Sequence, residues 1–372
     1  NMMSPMINHL PEQKNKQIPI TSVATGSSEL NSNDKFEEKA TSNQPISWQT
    51  QVADVITDID QLLAILELSD IKSELYIPKG FGLRVPKAFV AKMKKGNPKD
   101  PLLLQVLPSK LEQSKISGYV TDPLAENEQN PIKGLLHKYH SRVLVTVTGA
   151  CAIHCRYCFR QHFDYQGNLP KSEQLELIQD YIGQHPEIRE VLLSGGDPLS
   201  LSNRRLFLWL DALEALPQIS TIRIHTRLPI VIPERLDSEL LSRLQASRCR
   251  IVMVVHTNHA NEIDEHTANY LLQARQKGIT LLNQTVLLAG INDSVSVQVD
   301  LSERLFAAGV LPYYLHLLDK VEGAAHFDMT QHRAVELYWE MLQQLPGYLV
   351  PKLVQELPNR PFKTPVDLYN HY

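Results

Sequence analysis

The sequence predicts an α/β fold: an open or partial barrel of about six βα units, preceded by a helical N-terminal subdomain and followed by a short C-terminal segment. Three observations carry this expectation. Six runs of β-branched and apolar residues recur along the chain, at Arg142–Thr148, Glu190–Ser194, Thr221–His225, Arg250–His256, Thr280–Leu288 and Leu311–Leu318. Amphipathic stretches near 172–184, 203–216, 234–246, 265–277 and 296–308 fall between them, each closed by Pro, Gly or a polar break. The strand runs are continuous, which implies burial on both faces, parallel pairing and right-handed helical crossovers. In such barrels chemistry sits where strand C-termini meet the following loops.

The elements follow in order. Residues 1–45 are rich in Asn, Ser, Glu, Lys and Gln without an apolar period, so they are expected to form a mobile polar extension that cannot offset its ordering entropy. From Trp48 the spacing of Val52, Ile56, Ile59, Leu62, Leu63 and Leu66 is helical. It opens a helical N-terminal subdomain over 46–136, interrupted at Ile77-Pro78-Lys79-Gly80 and Lys95-Gly96-Asn97-Pro98. The partial barrel is expected over 137–330 and the C-terminal segment over 331–372. The 372 residues, 43% of them apolar, are enough for a large core.

Charge excludes some classes of partner. With 37 basic and 41 acidic residues the net charge is -4, which leaves no electrostatic footprint for nucleic acid or an anionic membrane. No apolar run approaches the ~18 residues that span a bilayer, and no leader pattern stands at the N-terminus. A cytoplasmic protein with a small-molecule partner is expected.

The cysteines narrow the chemistry. Of four, Cys151, Cys155 and Cys158 lie in Cys151-Ala-Ile-His-Cys155-Arg-Tyr-Cys158, directly after the first of the six strands. Three thiolates in one loop can hold three irons of a [4Fe-4S] cluster and leave the fourth open. A structural zinc site would want a fourth protein ligand, from His154, His162 or Cys249. By spacing alone both remain open.

With Tyr157 before the third cysteine, this loop resembles that of the radical S-adenosylmethionine (SAM) superfamily. Further words narrow it: Cys158-Phe-Arg160-Gln, Ser194-Gly-Gly-Asp197-Pro-Leu, His256-Thr-Asn-His259, Asn283-Gln284-Thr-Val-Leu-Leu and Lys363-Thr-Pro. From about residue 46 onward these resemble the lysine 2,3-aminomutase family, and most nearly its bacterial branch that makes β-lysine for elongation factor P. The resemblance implies a partial radical SAM barrel, a [4Fe-4S] cluster on Cys151, Cys155 and Cys158, SAM, and pyridoxal 5'-phosphate in Schiff-base linkage to Lys363. It implies SAM contacts at Gly195, Gly196, Asp197, His256 and Gln284, and phosphate-side contacts at Lys138, Tyr139 and Arg142. Of these three, Arg142 is favoured, because a guanidinium grips phosphate bidentately.

For the substrate, L-lysine, the resemblance implies Arg160 on the carboxylate and Asp319 with Glu356 on the distal ammonium. Two departures stand out. Glu356 occupies a position where the lysine mutases typically carry aspartate, which leaves product stereochemistry open, and Asn359-Arg-Pro-Phe replaces the glycine-rich run before the cofactor lysine. No cysteine follows Cys249, so the zinc-binding C-terminal extension of longer mutases is not expected. An electron donor such as flavodoxin or ferredoxin is implied, while a homo-oligomer and direct contact with elongation factor P stay open. The alternatives are a free lysine mutase serving other metabolism and a non-catalytic zinc- or cluster-binding interaction protein.

Overall fold

The structure, a computed structural model, describes residues 46–76, 80–126, 130–164, 172–358 and 360–369; the expectation for residues 1–45 lies outside them. The six expected strands form β2 (Arg142–Thr148), β3 (Glu190–Gly195), β4 (Thr221–Thr226), β5 (Arg250–His256), β6 (Thr280–Val286) and β7 (Leu311–His316). They pair in parallel, side by side in chain order. The helices Ser172–Gly183, Asn203–Glu214, Ser238–Gln245, Glu265–Gln276 and Val295–Ala307 make the crossovers. Three of them start on side-chain caps, where Ser202, Asp237 and Asp264 accept backbone N–H groups of the first turn.

Three strands escape a reading by apolar runs, because they are short and mixed. β1 (Leu135–Tyr139) pairs antiparallel with β2, β8 (Lys352–Gln355) continues the sheet in parallel beside β7, and β9 (Thr364–Pro365) turns back antiparallel on β8. The sheet is thus nine-stranded with β1 and β9 at its edges. Lys363 stands immediately before the last edge strand.

The N-terminal period resolves into two helices, Trp48–Ala53 and Ile59–Leu66. Asp58 caps the second by accepting from Asp60 N at 2.8 Å, and Ile56 leaves the helical path to bridge Val85. Leu62, Leu63 and Leu66 are buried in the same apolar core as the outer face of the sheet, so residues 46–372 make one compact unit. No described helix is long and apolar enough to cross a membrane.

The two faces of the sheet differ, and here the expectation of apolar burial on both is corrected. Val143, Val145, Val191, Leu193, Ile222, Ile224, Met253 and Val255 point outward into the core. Their alternates, Arg142, Ser194, Arg223, His225, His256, Gln284, Tyr314 and His316, line an internal cavity, as the two-residue strand period dictates. The inner face carries these polar side chains among Leu136, Leu144, Leu192 and Val286 because it bounds a space that apolar side chains do not fill.

Candidate active site

The cavity measures ≈ 290 Å³ and all fifteen residues singled out from the sequence line it. They belong to β1, to the start of β2 and the loop after it, to the end of β3 and the turn after it, to β5 and β6, to the segment after β7, and to the C-terminal turn. The structure therefore brings together the cysteine loop and a lysine more than two hundred residues away.

At one end, the cysteine loop is seated by close backbone approach. Gly195 and Gly196 are required by it. Gly195 has φ +126, and a Cβ on Gly196 would lie 2.4 Å from Ala150 O. Gly196 N donates to Thr148 O at 2.7 Å and Asp197 N to Ala150 O at 2.8 Å. The N-terminal segment clamps the loop from the other side. Arg84 Nε donates to Cys151 O at 2.7 Å, His154 N to Arg84 O at 2.9 Å and Arg156 N to Gln105 O at 2.9 Å. The Arg156 side chain forms a buried ion pair with Glu112, and His154 stacks on Phe81 at 4.3 Å. All three loop cysteines are free thiols; burial pushes Cys151 up and Cys158 up to about 12. Cys249 is buried elsewhere, donating to Ile219 O at 3.3 Å.

Two expected ligand contacts are already taken by protein. The Asp197 carboxylate accepts from Leu199 N (3.0 Å), Thr226 Oγ1 (2.6 Å), Arg227 N (2.7 Å) and Leu228 N (2.9 Å), so it fastens the end of β3 to the end of β4. Arg160 donates Nε and Nη2 to Glu126 at 2.8 and 2.7 Å, and Nη1 to Ser194 Oγ at 3.1 Å and Gly195 O at 3.2 Å. Glu126 lies outside the sheet and its crossover helices and carries no sequence signal for this partnership.

Around His256 lies a polar patch that strand alternation could have revealed. Burial, with Arg227, Lys363 and Arg160 nearby, pushes His256 down to about 3, so the imidazole is neutral. Its Nε2 is 3.4 Å from His225 Nδ1. His225 Nε2, His316 Nε2 and Gln284 Oε1 are buried without a hydrogen-bond partner among the described residues.

The other end is ionic. Glu356 Oε2 accepts from Lys363 Nζ at 2.8 Å, while Oε1 accepts from Lys138 Nζ at 2.8 Å and Tyr139 OH at 3.0 Å. Burial opposes its charge, but the two ammonium groups prevail and hold the carboxyl at about 2. Glu356 therefore binds the expected cofactor residues Lys363, Lys138 and Tyr139, which alters its expected place as a group facing substrate alone. Asp319 is the opposite case. Burial pushes it up to about 7 against the pull of Lys363, and it lines the cavity. Arg142 stacks over the Tyr139 ring at 4.1 Å and has no carboxylate partner among the described residues. Tyr314, missed in the sequence, stands 5.7 Å from Lys363 Nζ by its ring centre.

Comparison with known proteins identifies this arrangement. The radical SAM superfamily model matches residues 145–294. The chain is 47% identical to the L-lysine 2,3-aminomutase of Escherichia coli (strain K12) over 325 residues, 86% of this chain and 94% of that one. It is 45% identical to that of Haemophilus influenzae over 320 residues, 86% and 95% of the two chains. It is 32% identical to that of Clostridium subterminale over 323 residues, 86% and 77%. This chain belongs to the L-lysine 2,3-aminomutase family.

It is accordingly an isomerase, and the reading as a non-catalytic binding module is set aside. An aminomutase of this family uses a [4Fe-4S] cluster, SAM and pyridoxal phosphate, and the residues present fit all three. Three free thiols share one wall of the cavity, yet among the described residues no three His, Cys, Asp or Glu side chains converge on a single-ion site. A cluster wants thiolates spread around a cube. Arg142 offers an unneutralised guanidinium to a phosphate. The orphaned atoms of Gln284, His225 and His316 want a polar ligand, since a buried polar group left unpaired costs about 1–3 kcal/mol.

Proposed function

We propose that this aminomutase acts on L-lysine, moving its amino group from C2 to C3 to give β-lysine. The observation that carries the reading is the content of one cavity: the guanidinium of Arg160, the carboxylate of Asp319 without a side-chain hydrogen bond among the described residues, and Lys363. Arg160 takes the substrate carboxylate by exchanging it for Glu126. Asp319 takes the distal ammonium, which restores the charged form that burial disfavours. Lys363 would anchor pyridoxal phosphate covalently and Arg142 would grip its phosphate, while Glu356 positions the Lys363 nitrogen and holds Lys138 and Tyr139 in register. Cys151, Cys155 and Cys158 hold the cluster, and the patch of Gly195, Gly196, His256 and Gln284 receives SAM. When bound, these groups supply a hydrogen-abstracting 5'-deoxyadenosyl radical and a π-system across which nitrogen migrates.

The product supplies elongation factor P modification in the cytoplasm, with an electron donor such as flavodoxin or ferredoxin. Labelled lysine incubated anaerobically with SAM and dithionite should yield β-lysine. The mass of elongation factor P in cells with and without the gene then separates that role from free-lysine metabolism.

A further inference from the structure

Beside the cysteine loop a buried cation stands that neither substrate nor pyridoxal phosphate needs. Arg227 follows β4 and is 5% exposed. Its Nη1 lies 2.6 Å from Cys155 Sγ and donates to Tyr157 OH at 2.6 Å. Nη2 donates to Gln105 Oε1 at 2.7 Å and to Glu262 Oε2 at 3.0 Å, and Glu262 is 0% exposed. The frame is closed on itself: Gln105 Nε2 donates to Glu262 Oε1 at 3.1 Å, and Asn258 Nδ2 donates to both Gln105 Oε1 and Tyr157 OH, at 3.0 and 2.6 Å. The guanidinium cannot rotate away from the sulfur without breaking several buried hydrogen bonds.

We infer that Arg227 raises the reduction potential of the cluster through a charge-assisted hydrogen bond to the Cys155 thiolate, and that Glu262 sets how much of that charge the cluster feels. The inference rests on the proposed reading of Cys155 as a cluster ligand. Reduction adds one electron, taken from a low-potential reductant, to the [4Fe-4S] core, changing it from 2+ to 1+. No bond forms or breaks and no proton moves. The reduced core is the more negative form, so a nearby cation and a hydrogen bond to its sulfur favour it. Burial removes the screening that would dilute the effect. A lone buried guanidinium would be costly, and Glu262 offsets that cost while opposing the cation's field. Arg227 is thus a positioning and tuning residue, and it and Glu262 act on the cluster with opposite signs.

The test uses full-length protein reconstituted anaerobically with iron and sulfide, without lysine or pyridoxal phosphate. Iron and sulfide content is measured first, then the midpoint potential by titration followed with electron paramagnetic resonance. Arg227→Gln should move the potential negative by roughly tenfold in the electron-uptake equilibrium, about 59 mV for one electron. Glu262→Gln should move it positive, and Arg227→Lys, which keeps the charge, should stay nearer the wild type than Arg227→Gln. Unchanged potentials, or shifts of the same sign in Arg227→Gln and Glu262→Gln, would overturn the inference and leave a structural role. Should Arg227→Gln fail to fold, the sign of the Glu262→Gln shift decides alone. A wild-type protein that takes up no cluster defeats the reading of the cysteine loop instead, a separate outcome.

Discussion

The two ends of the cavity hold their groups by different means. Around the cysteine loop, backbone hydrogen bonds, two glycines and buried pairs such as Arg156–Glu112 fix every position from both sides. Around Lys363 two ammonium groups and a phenol share the Glu356 carboxylate, held at about 2, while the Asp319 carboxyl nearby is pushed up to about 7. A centre that must pass an electron gains from immobility, since its geometry is the same before and after. A site that must exchange a covalent partner and admit a charged substrate gains from ions with more than one available mate. On the proposed reading, the same carboxylate chemistry serves as a rivet in Asp197 and as a socket in Asp319.

The largest effects test whether the cysteine end is all-or-none. Alanine at Cys151, Cys155 or Cys158 should abolish iron loading and 5'-deoxyadenosine formation, while Cys249→Ala leaves both intact; iron assays and chromatography of the nucleoside decide it. Loss of iron only on changing Cys249 would erase the contrast. Lys363→Ala should lose the pyridoxyl group that borohydride otherwise fixes to the chain. Peptide mapping that placed this group on Lys138 would move the socket to β1.

Asp319→Asn should lower kcat/KM for lysine by about two to four orders of magnitude, from the roughly 3–5 kcal/mol lost when one partner of a desolvated pair is removed, with cluster and cofactor content unchanged. The pH dependence has a definite sign. Because the Asp319 carboxyl is raised from 3.8 to about 7, binding an ammonium below that pH must first expel a proton, so the wild-type KM for lysine should fall as pH rises through about 7. For stability the sign is reversed: folding favours the protonated acid, so its contribution is lost as pH rises from ~4 toward 7. Asp319→Asn should therefore unfold at a higher temperature than wild type at pH 8, an advantage absent at pH 4.

The last of these tests lies between the two ends. Glu126→Ala leaves the Arg160 guanidinium without its carboxylate and should cost about 3–5 kcal/mol of stability. Lysine supplies a carboxylate of its own, so it should raise the melting temperature of the variant more than that of the wild type. Equal shifts in a thermal melt would mean that Glu126 and substrate do not compete for Arg160.

The strand-and-helix rhythm was legible because β-branched runs and capped amphipathic helices are local signals. β1, β8 and β9 were not, since five, four and two residues of mixed character form strands only when a neighbour offers an edge. The candidate site was legible where short words mark it, as at the cysteines and Lys363. Arg223, His225 and His316 could have been found by asking which alternate positions in an apolar strand are polar. The bond from Lys138 to Glu356 spans 218 residues and that from Arg160 to Glu126 ends outside the repeating strands and helices. Neither leaves a periodic trace, because such pairings exist only after the chain has folded.

The two glycines after β3 also bear on how mutational surveys of this enzyme should be interpreted. A methyl group on Gly196 meets Ala150 O at 2.4 Å and Gly149 C at 2.7 Å, so even alanine must pry the strand end from the segment leading into Cys151. Such variants would score among the most damaging in a selection for activity, on a par with loss of a cysteine. That penalty would arise with no ligand present, as a dislodged loop and a lowered yield of iron, so sensitivity at these positions does not by itself map a binding surface.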